Sequence, residues 1–435
     1  MPTARQIAFN ALSKIQKDNS YSNIALDSFL SKSELDTRDK SFVSALFYGV
    51  IERQITLDYN ISLYLSKPLK KLKPEVLTLL RLGAYQLLFM EKVPASAAVN
   101  ETIKLSKKNS LQFASGLLNA VLRKISINGL CLPDNNDEVE FLSIKYSCSE
   151  WLIKKWLKEY GREDTEEFLK YSLGASDVFI RVNTTKTDSE ALVGMLKEEG
   201  IEAEKTALDN ALKISLGGND IEKIKAFKDG LFHVQDLACQ YAVNALRIKE
   251  GDKVFDLCSA PGGKTFTAAQ FAGKSGEIHA FDIYEKRVEL IKKGAVRLGL
   301  ENVKASTGDA SVHNADLGLA DKVLCDVPCS GFGIIGRKPE IKYKSEDETK
   351  EIEKLQYPIL NNAASYVKKG GRLLYSTCTL SRNENENVCE RFLSEHKDFS
   401  NVVPLPEISD EKYLTLMPHK HGTDGFFIAL FERKE

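Results

Sequence analysis

The chain has 435 residues, 60 Lys and Arg against 61 Asp and Glu, and a formal net charge of −1; 43% of its residues are hydrophobic and 28% charged. That length exceeds what one hydrophobic core organises, so two or three domains are expected, and the balanced composition excludes a disordered chain. With no run of about 18 apolar residues and no apolar leader after Met1, the reading is a soluble, cytoplasmic protein with no membrane partner, and the near-neutral charge requires any polyanionic partner to be met by local basic patches.

Up to about Lys124 the apolar residues recur at helical spacing: Ala11 and Ile15, then Phe42, Ala45, Leu46, Gly49 and Val50, then Val76, Leu79, Leu80, Gly83 and Leu87. Residues 1–128 are therefore expected to form an all-α domain. The turn-rich stretch from Asn128 to Asp137 reads as a linker. Residues 140–235 read as a small α/β domain. Helices are expected around Trp151, Trp156 and Phe168 and from Glu190 to Glu199, and strands at Phe179–Asn183, Leu212–Ile214 and Leu231–Val234. Local basic clusters occur at Lys67, Lys70, Lys71 and Lys73, at Lys104, Lys107 and Lys108, and at Arg337, Lys338, Lys342 and Lys344; taken singly, each suits a solvated face.

Residues 236–435 alternate strand-like and helix-like segments. Strands are expected at Val254–Leu257, Ile278–Asp282, Val303–Ala305, Val323–Asp326 and Arg372–Ser376, with helices at Glu285–Leu298 and Glu348–Val367. This alternation predicts an α/β domain with a parallel, Rossmann-like sheet covered on both faces, whose ligands bind beyond the carboxyl ends of the strands. The first strand runs into Cys258-Ser259-Ala260-Pro261-Gly262-Gly263-Lys264, a glycine turn opening a helix. Asp282, Asp309 and Asp326 follow at the ends of the next three strands. Carboxylates in that order suit a ligand carrying a ribose, an amine and a sulfonium cation, and would repel a pyrophosphate. S-adenosylmethionine meets that description.

Two other patterns have competing readings. Gly263-Lys264-Thr265 looks like the end of a phosphate-binding loop, but Cys258 stands where that loop needs glycine. Gly331-Phe332-Gly333-Ile334-Ile335-Gly336 spells a dinucleotide fingerprint, yet Arg337-Lys338-Pro339 follows in place of a helix; a mobile active-site loop is expected there. Eight cysteines without a C-x-x-C pair give neither a disulfide framework nor a zinc site, so no metal is expected.

Cys329, in Asp326-Val327-Pro328-Cys329-Ser330-Gly331, and Cys378, in Ser376-Thr377-Cys378-Thr379, follow neighbouring strands. Cytosine C5 is a poor nucleophile. A thiolate added at C6 converts the ring to an enamine whose C5 attacks a sulfonium methyl, after which the C5 proton leaves and the thiolate is eliminated. Asp326 could donate a proton near N3, and Lys264 is the nearest cation by motif position to lower a thiol pKa.

On these residues the chain resembles the Sun/RsmB branch of the RNA (cytosine-5) methyltransferases over essentially its whole length. Asp256 to Thr265 resembles the cofactor loop, Asp326 to Gly331 the proline-cysteine motif, Ser376 to Thr379 the threonine-cysteine motif, and Pro418 to Phe427 the final motif. The resemblance implies Cys378 as nucleophile, Cys329 assisting breakdown of the covalent intermediate, and S-adenosylmethionine contacts from Cys258 to Lys264, Asp282, Asp309 and Asp326. Ser259 stands where many members have alanine. The resemblance further implies a NusB-like RNA-binding domain at the N-terminus, with Asn119 to Lys124 carrying part of the likeness, a ferredoxin/RRM-like middle domain, 16S ribosomal RNA as partner and a monomer. An RNA-binding or antitermination factor with a vestigial methyltransferase domain, and a transfer-RNA cytosine-5 methyltransferase, are the alternatives.

Overall fold

The computed structural model describes residues 2–18, 22–174 and 176–435. The chain divides into two compact units: Met1–Gly174 together with Ile335–Lys344, and Ala175–Ile334 together with Ser345–Glu435.

The first unit is helical. In the helix Thr37–Glu52 the buried residues Val43, Leu46, Phe47 and Val50 repeat at three- and four-residue steps, and Asp36 caps the first turn by accepting the Asp39 amide. The helix Pro74–Phe89 starts on a proline and buries Val76, Leu79, Leu80 and Gly83 at the same spacing. Together with Leu118, Leu122 and Ile125 the apolar side chains of these two helices form one continuous core, against which Gly83 leaves room for Leu122. The stretch read as a linker is irregular but pinned, because the Asn60 side chain accepts the Cys131 amide at 2.8 Å and donates to its carbonyl at 3.0 Å. It leads into two more helices of this unit, Glu138–Tyr146 and Glu150–Tyr171.

Ile335–Lys344 is built into this helical unit although its neighbours in sequence belong to the other. Lys342, which the sequence places in a basic cluster, is fully buried. Its ammonium donates to the Glu52 carbonyl at 2.9 Å and the Tyr146 carbonyl at 3.4 Å. The Tyr343 hydroxyl donates to the Ile51 carbonyl and accepts the Gln54 amide. Burial is the main reason the Lys342 pKa falls from 10.5 to about 8.

The second unit holds two sheets. The smaller is antiparallel, built from β1 (Val178–Val182), β2 (Glu202–Lys205), β3 (Ala211–Ser215) and β4 (Phe232–Val234) in the order β2-β3-β1-β4, with Leu192 and Leu196 of the helix Ser189–Glu198 packed on it. β2, largely exposed, carries no apolar alternation and was not legible in the sequence. The larger sheet contains β5 (Lys253–Asp256), β6 (Glu277–Asp282), β7 (Val303–Thr307), β8 (Ala320–Asp326), β9 (Val367–Thr377), β10 (Phe399–Val402), β11 (Leu414–Leu416) and β12 (Phe426–Arg433), ordered β10-β12-β9-β8-β5-β6-β7 with β11 beside β12. β5 to β9 are parallel, as the strand-helix alternation predicts. β10, β11 and β12 are antiparallel.

The two-residue period of the strands sorts the core. Val254, Leu324, Leu374 and Ile428 face one side, packing with Ala242, Phe266 and Ile291 of the helices Leu237–Ala245, Gly263–Ala272 and Glu285–Leu298. Phe255, Val323, Leu373 and Phe427 face the other, against Leu360 and Phe392 of Glu346–Ala364 and Glu386–Glu395.

The buried Lys342 makes a testable contribution to stability. Its folded pKa lies below its unfolded one, so the unfolded chain binds the extra proton between pH 8 and 10.5, and stability must rise with pH across that window. Urea unfolding at the two ends should show wild type gaining on the order of 3 kcal/mol relative to Lys342→Met; parallel pH profiles for the two proteins would refute it.

Candidate active site

β5, β6 and β8 deliver their last residues to one edge of the larger sheet. Asp256, at the end of β5, is fully buried, accepts the Thr265 hydroxyl at 2.6 Å through Oδ2, and leaves Oδ1 without a partner. Burial, reinforced by nearby Asp326, pushes its pKa up to about 7. The turn that follows is held by the Ser259 amide and hydroxyl, which donate to the Phe281 carbonyl at 2.8 and 2.7 Å. Ala260 and Pro261 carry the chain on to Gly262, whose φ of 113° places it in the left-handed region; a Cβ there would also lie 2.4 Å from the Phe266 ring. Gly263 opens the helix Gly263–Ala272, whose first amides have no acceptor within the helix.

Asp282, at the end of β6, is largely buried; it pairs with Arg287 at 3.0 Å and accepts the Tyr284 amide at 3.0 Å. Asp309 stands two residues beyond β7, exposed, and accepts the Ser311 amide and hydroxyl. Asp326 ends β8. Lys264 donates to its Oδ2 at 2.7 Å and Ser376 to its Oδ1 at 2.8 Å. Ser376 is set there by the parallel register, which places it opposite Asp326 on β9.

Lys264 is, by motif position, the nearest candidate to lower the pKa of a nucleophilic thiol. It is instead engaged by Asp326 and by Cys239 Sγ, 3.2 Å away, and lies 5.0 Å from the Phe426 ring centre. Burial is the largest single influence and works against its charge, but Asp326 and Cys239 together outweigh it and hold the ammonium above its ordinary pKa. Cys239 itself is pushed up to about 12 by burial. No spacing in the sequence ties Cys239 to Lys264, because the two meet only where the helix Leu237–Ala245 packs beside Gly263–Ala272. Burial and the carboxylates of Asp256, Asp326 and Asp282 also raise the Cys258 thiol.

The two motif cysteines come together: Cys329 Sγ and Cys378 Sγ are 3.1 Å apart. The hydrogen bond with Cys378, then burial, holds the Cys329 thiol well above its ordinary pKa. The Gly331–Gly336 segment, expected to be a mobile loop, is packed at its Gly333. The Gly333 amide donates to the Cys378 carbonyl at 2.9 Å, and its carbonyl accepts the Gly425 amide at 2.8 Å. Phe332 is buried beside it. Gly333 answers a close backbone approach, since a Cβ there would lie 1.8 Å from the Gly425 carbonyl oxygen.

This arrangement offers free helix amides, a glycine turn, strand-end carboxylates and two touching thiols. The excess of acidic groups at these strand ends favours a cationic ligand. These features fit a sulfonium cofactor with a ribose. Among the described residues no helix is long and apolar enough to cross a membrane.

Comparison with known proteins gives three matches to family models along the chain: NusB family at residues 2–126, the Methyltr_RsmF/B-like ferredoxin-like domain at 148–219, and 16S rRNA methyltransferase RsmB/F at 243–432. The chain is 37% identical to the "Probable ribosomal RNA small subunit methyltransferase B" of Bacillus subtilis (strain 168), over 99% of each. It is 30% identical to the ribosomal RNA small subunit methyltransferase B of Photorhabdus laumondii, over 91% of each. Among solved structures, that of PH0851 covers 100% of this chain and 99% of its own at a TM-score of 0.85 and 30% identity. A methyltransferase homolog protein from Pyrococcus horikoshii covers 69% of this chain and all of its own, with a TM-score of 0.60 and 28% identity.

Gly333→Ala tests the packing at Gly333. Its methyl has backbone, not a flexible side chain, in its way, so a loss of about 2 kcal/mol or more is expected, together with faster alkylation of Cys378 by iodoacetamide. Wild-type stability and alkylation rate would show that the contact does not constrain the site.

Proposed function

The chain belongs to the ribosomal RNA small subunit methyltransferase B family, and we propose that this S-adenosylmethionine-dependent RNA methyltransferase modifies C5 of a cytosine in 16S ribosomal RNA through a cysteine adduct. The observation that carries the C5 reading is the pair of thiols 3.1 Å apart at the ends of adjacent strands, beside the glycine turn and carboxylates that fit the cofactor. Methyl transfer to an oxygen or an exocyclic nitrogen needs no nucleophilic thiol; transfer to C5 does.

S-adenosylmethionine supplies an electrophilic methyl on a sulfonium. Gly262, Gly263 and the turn from Cys258 to Lys264 would hold its amino-acid end, Asp282 its ribose and Asp309 its adenine edge. Cys378 Sγ adds to C6 of the base. Asp326, fixed by Lys264 and Ser376, would have to be protonated to act at the N3 edge, giving that proton to N3 as Cys378 adds and taking it back as the thiolate leaves. Cys329, in contact with Cys378, assists the loss of the C5 proton and the return of the Cys378 thiolate. In this reading residues 1–128 and 140–235 position the RNA and 236–435 carry the chemistry, in a monomer working in the cytoplasm.

The test is transfer of tritiated methyl from S-adenosylmethionine to 16S RNA lacking the modification, with mass mapping of the product nucleotide. Wild type should yield 5-methylcytosine, Cys378→Ala less than a thousandth of that rate, and Cys329→Ala a protein–RNA adduct stable to denaturing electrophoresis. Undiminished transfer by Cys378→Ala, or a methyl mapped to any atom other than C5, would overturn the assignment.

A further inference from the structure

Neither Glu384 nor Asn385 belongs to a motif described above, yet both are fully buried and both bond to residues that flank the cysteines. The Glu384 carboxylate accepts the Ser330 amide at 2.8 Å and the Ser330 hydroxyl at 2.6 Å. It also accepts Gln356 Nε2 at 2.9 Å and, more weakly, the Thr379 hydroxyl at 3.4 Å. Gln356 Nε2 donates to the Pro328 carbonyl as well, so the residues before and after Cys329 are tied to one point. Asn385 does the same for the other thiol. Its Oδ1 accepts the Thr377 hydroxyl at 2.6 Å and its Nδ2 donates to the Thr379 carbonyl at 3.0 Å, bracketing Cys378 on both sides. The two brackets are joined by the Ser330–Thr379 hydroxyl contact at 2.6 Å.

We propose that Glu384 and Asn385 are the positioning residues that set the two cysteines in register, Glu384 governing Cys329 and Asn385 governing Cys378. Ordinary core packing does not require this arrangement. A buried carboxylate answered only by neutral donors is a demanding element to keep, and apolar side chains would fill the same space at lower cost. Its geometry explains its presence: a carboxylate is acceptor-only and can take the Ser330 amide, the Ser330 hydroxyl and the Gln356 amide at once, whereas a glutamine would turn an NH2 group toward one of those donors. The bonds are divided unequally. Glu384 holds Ser330 through two short bonds and Thr379 through one long one, so its loss frees the Cys329 turn and leaves Cys378 bracketed by Asn385.

That asymmetry separates positioning from a general structural role. The inference rests on the cysteine chemistry proposed above, in which Cys378 attacks and Cys329 assists release. Glu384→Gln should lower kcat at least tenfold with both KM values within twofold, and covalent protein–RNA adduct should accumulate, as for Cys329→Ala. Asn385→Ala should lower kcat with little adduct, because attack itself is slowed. If Glu384→Gln fails to fold, Ser330→Ala removes the hydroxyl end of the same bracket and should give the same adduct signature more weakly. Identical signatures from the Glu384 and Asn385 variants, a loss confined to KM, or undiminished kcat in folded Glu384→Gln would each overturn the proposal. A second readout is independent of the methylation chemistry: phenylarsine oxide bridges two thiols held close together. Wild type should bind it at least tenfold more tightly than Glu384→Gln, with Cys378→Ser as the control that identifies the pair. Equal binding by wild type and Glu384→Gln would sink the bracket even if the cysteine chemistry holds; failure of Cys329→Ala to form adduct, with arsenical binding lost as expected, would sink the chemistry and leave the bracket standing.

Discussion

The pairing of β8 with β9 is the constraint on which the site depends. Parallel strands in register set Asp326 opposite Ser376, so the chain leaves both strands at the same height of the sheet. Cys329 follows three residues after Asp326 and Cys378 two residues after Ser376, and the intervening segments are short enough that their sulfurs meet at 3.1 Å. A one-residue slip would turn Asp326 to the opposite face of the sheet and part it from Lys264 and Ser376. The slip is opposed by the core itself, because Val323 and Leu373 pack on one face while Leu324 and Leu374 pack on the other. The same side chains that stabilise the sheet therefore fix the distance between the reactive groups.

The electrostatics of this edge follow from burial. Burial first, then the carboxylates of Asp256, Asp326 and Asp282, raises the Cys258 thiol, and burial reinforced by Asp326 pushes the Asp256 pKa up to about 7. Lys264 keeps its charge despite burial because Asp326 and Cys239 answer it. An edge of this kind disfavours an anionic ligand and favours a cation, and this separates it from the phosphate-binding loop that Gly263-Lys264-Thr265 superficially matches. The helix N-terminus at Gly263 serves here as a source of free amides beside acidic groups.

Much of the fold could be read from the sequence because it rests on periodicity. The helical repeats through Leu46, Gly49 and Val50 and through Val76 to Gly83, and the apolar runs of β5, β6, β8 and β9, are set by which residues must be buried, although Ala45, read on the same face, is exposed. The cofactor turn and the two cysteine motifs were legible because their residue types are tied to neighbouring strand ends. What escaped reading depends on contacts distant in sequence. Lys342 looks like one more surface lysine until Glu52 and Tyr146 are seen to receive it. The Gly331–Gly336 pattern reads as a mobile loop because Arg337-Lys338-Pro339 follows it in place of a helix, whereas Gly333 is glycine because Gly425 approaches it closely. Cys239 and Glu384 stand in unremarkable stretches, and only the packing of helices and turns brings them to Lys264 and Ser330.

The central claim is that Cys378 forms a covalent bond to the target base. Substituting fluorine for the C5 hydrogen of cytosine in the RNA substrate removes the proton whose loss precedes enzyme release, so that the adduct persists after methyl transfer. Digestion of the trapped complex and mass spectrometry of the peptides then locate the bond. The account predicts a single modified peptide carrying methylated fluorocytosine on Cys378; modification of Cys329, or recovery of free enzyme with intact substrate, would contradict it.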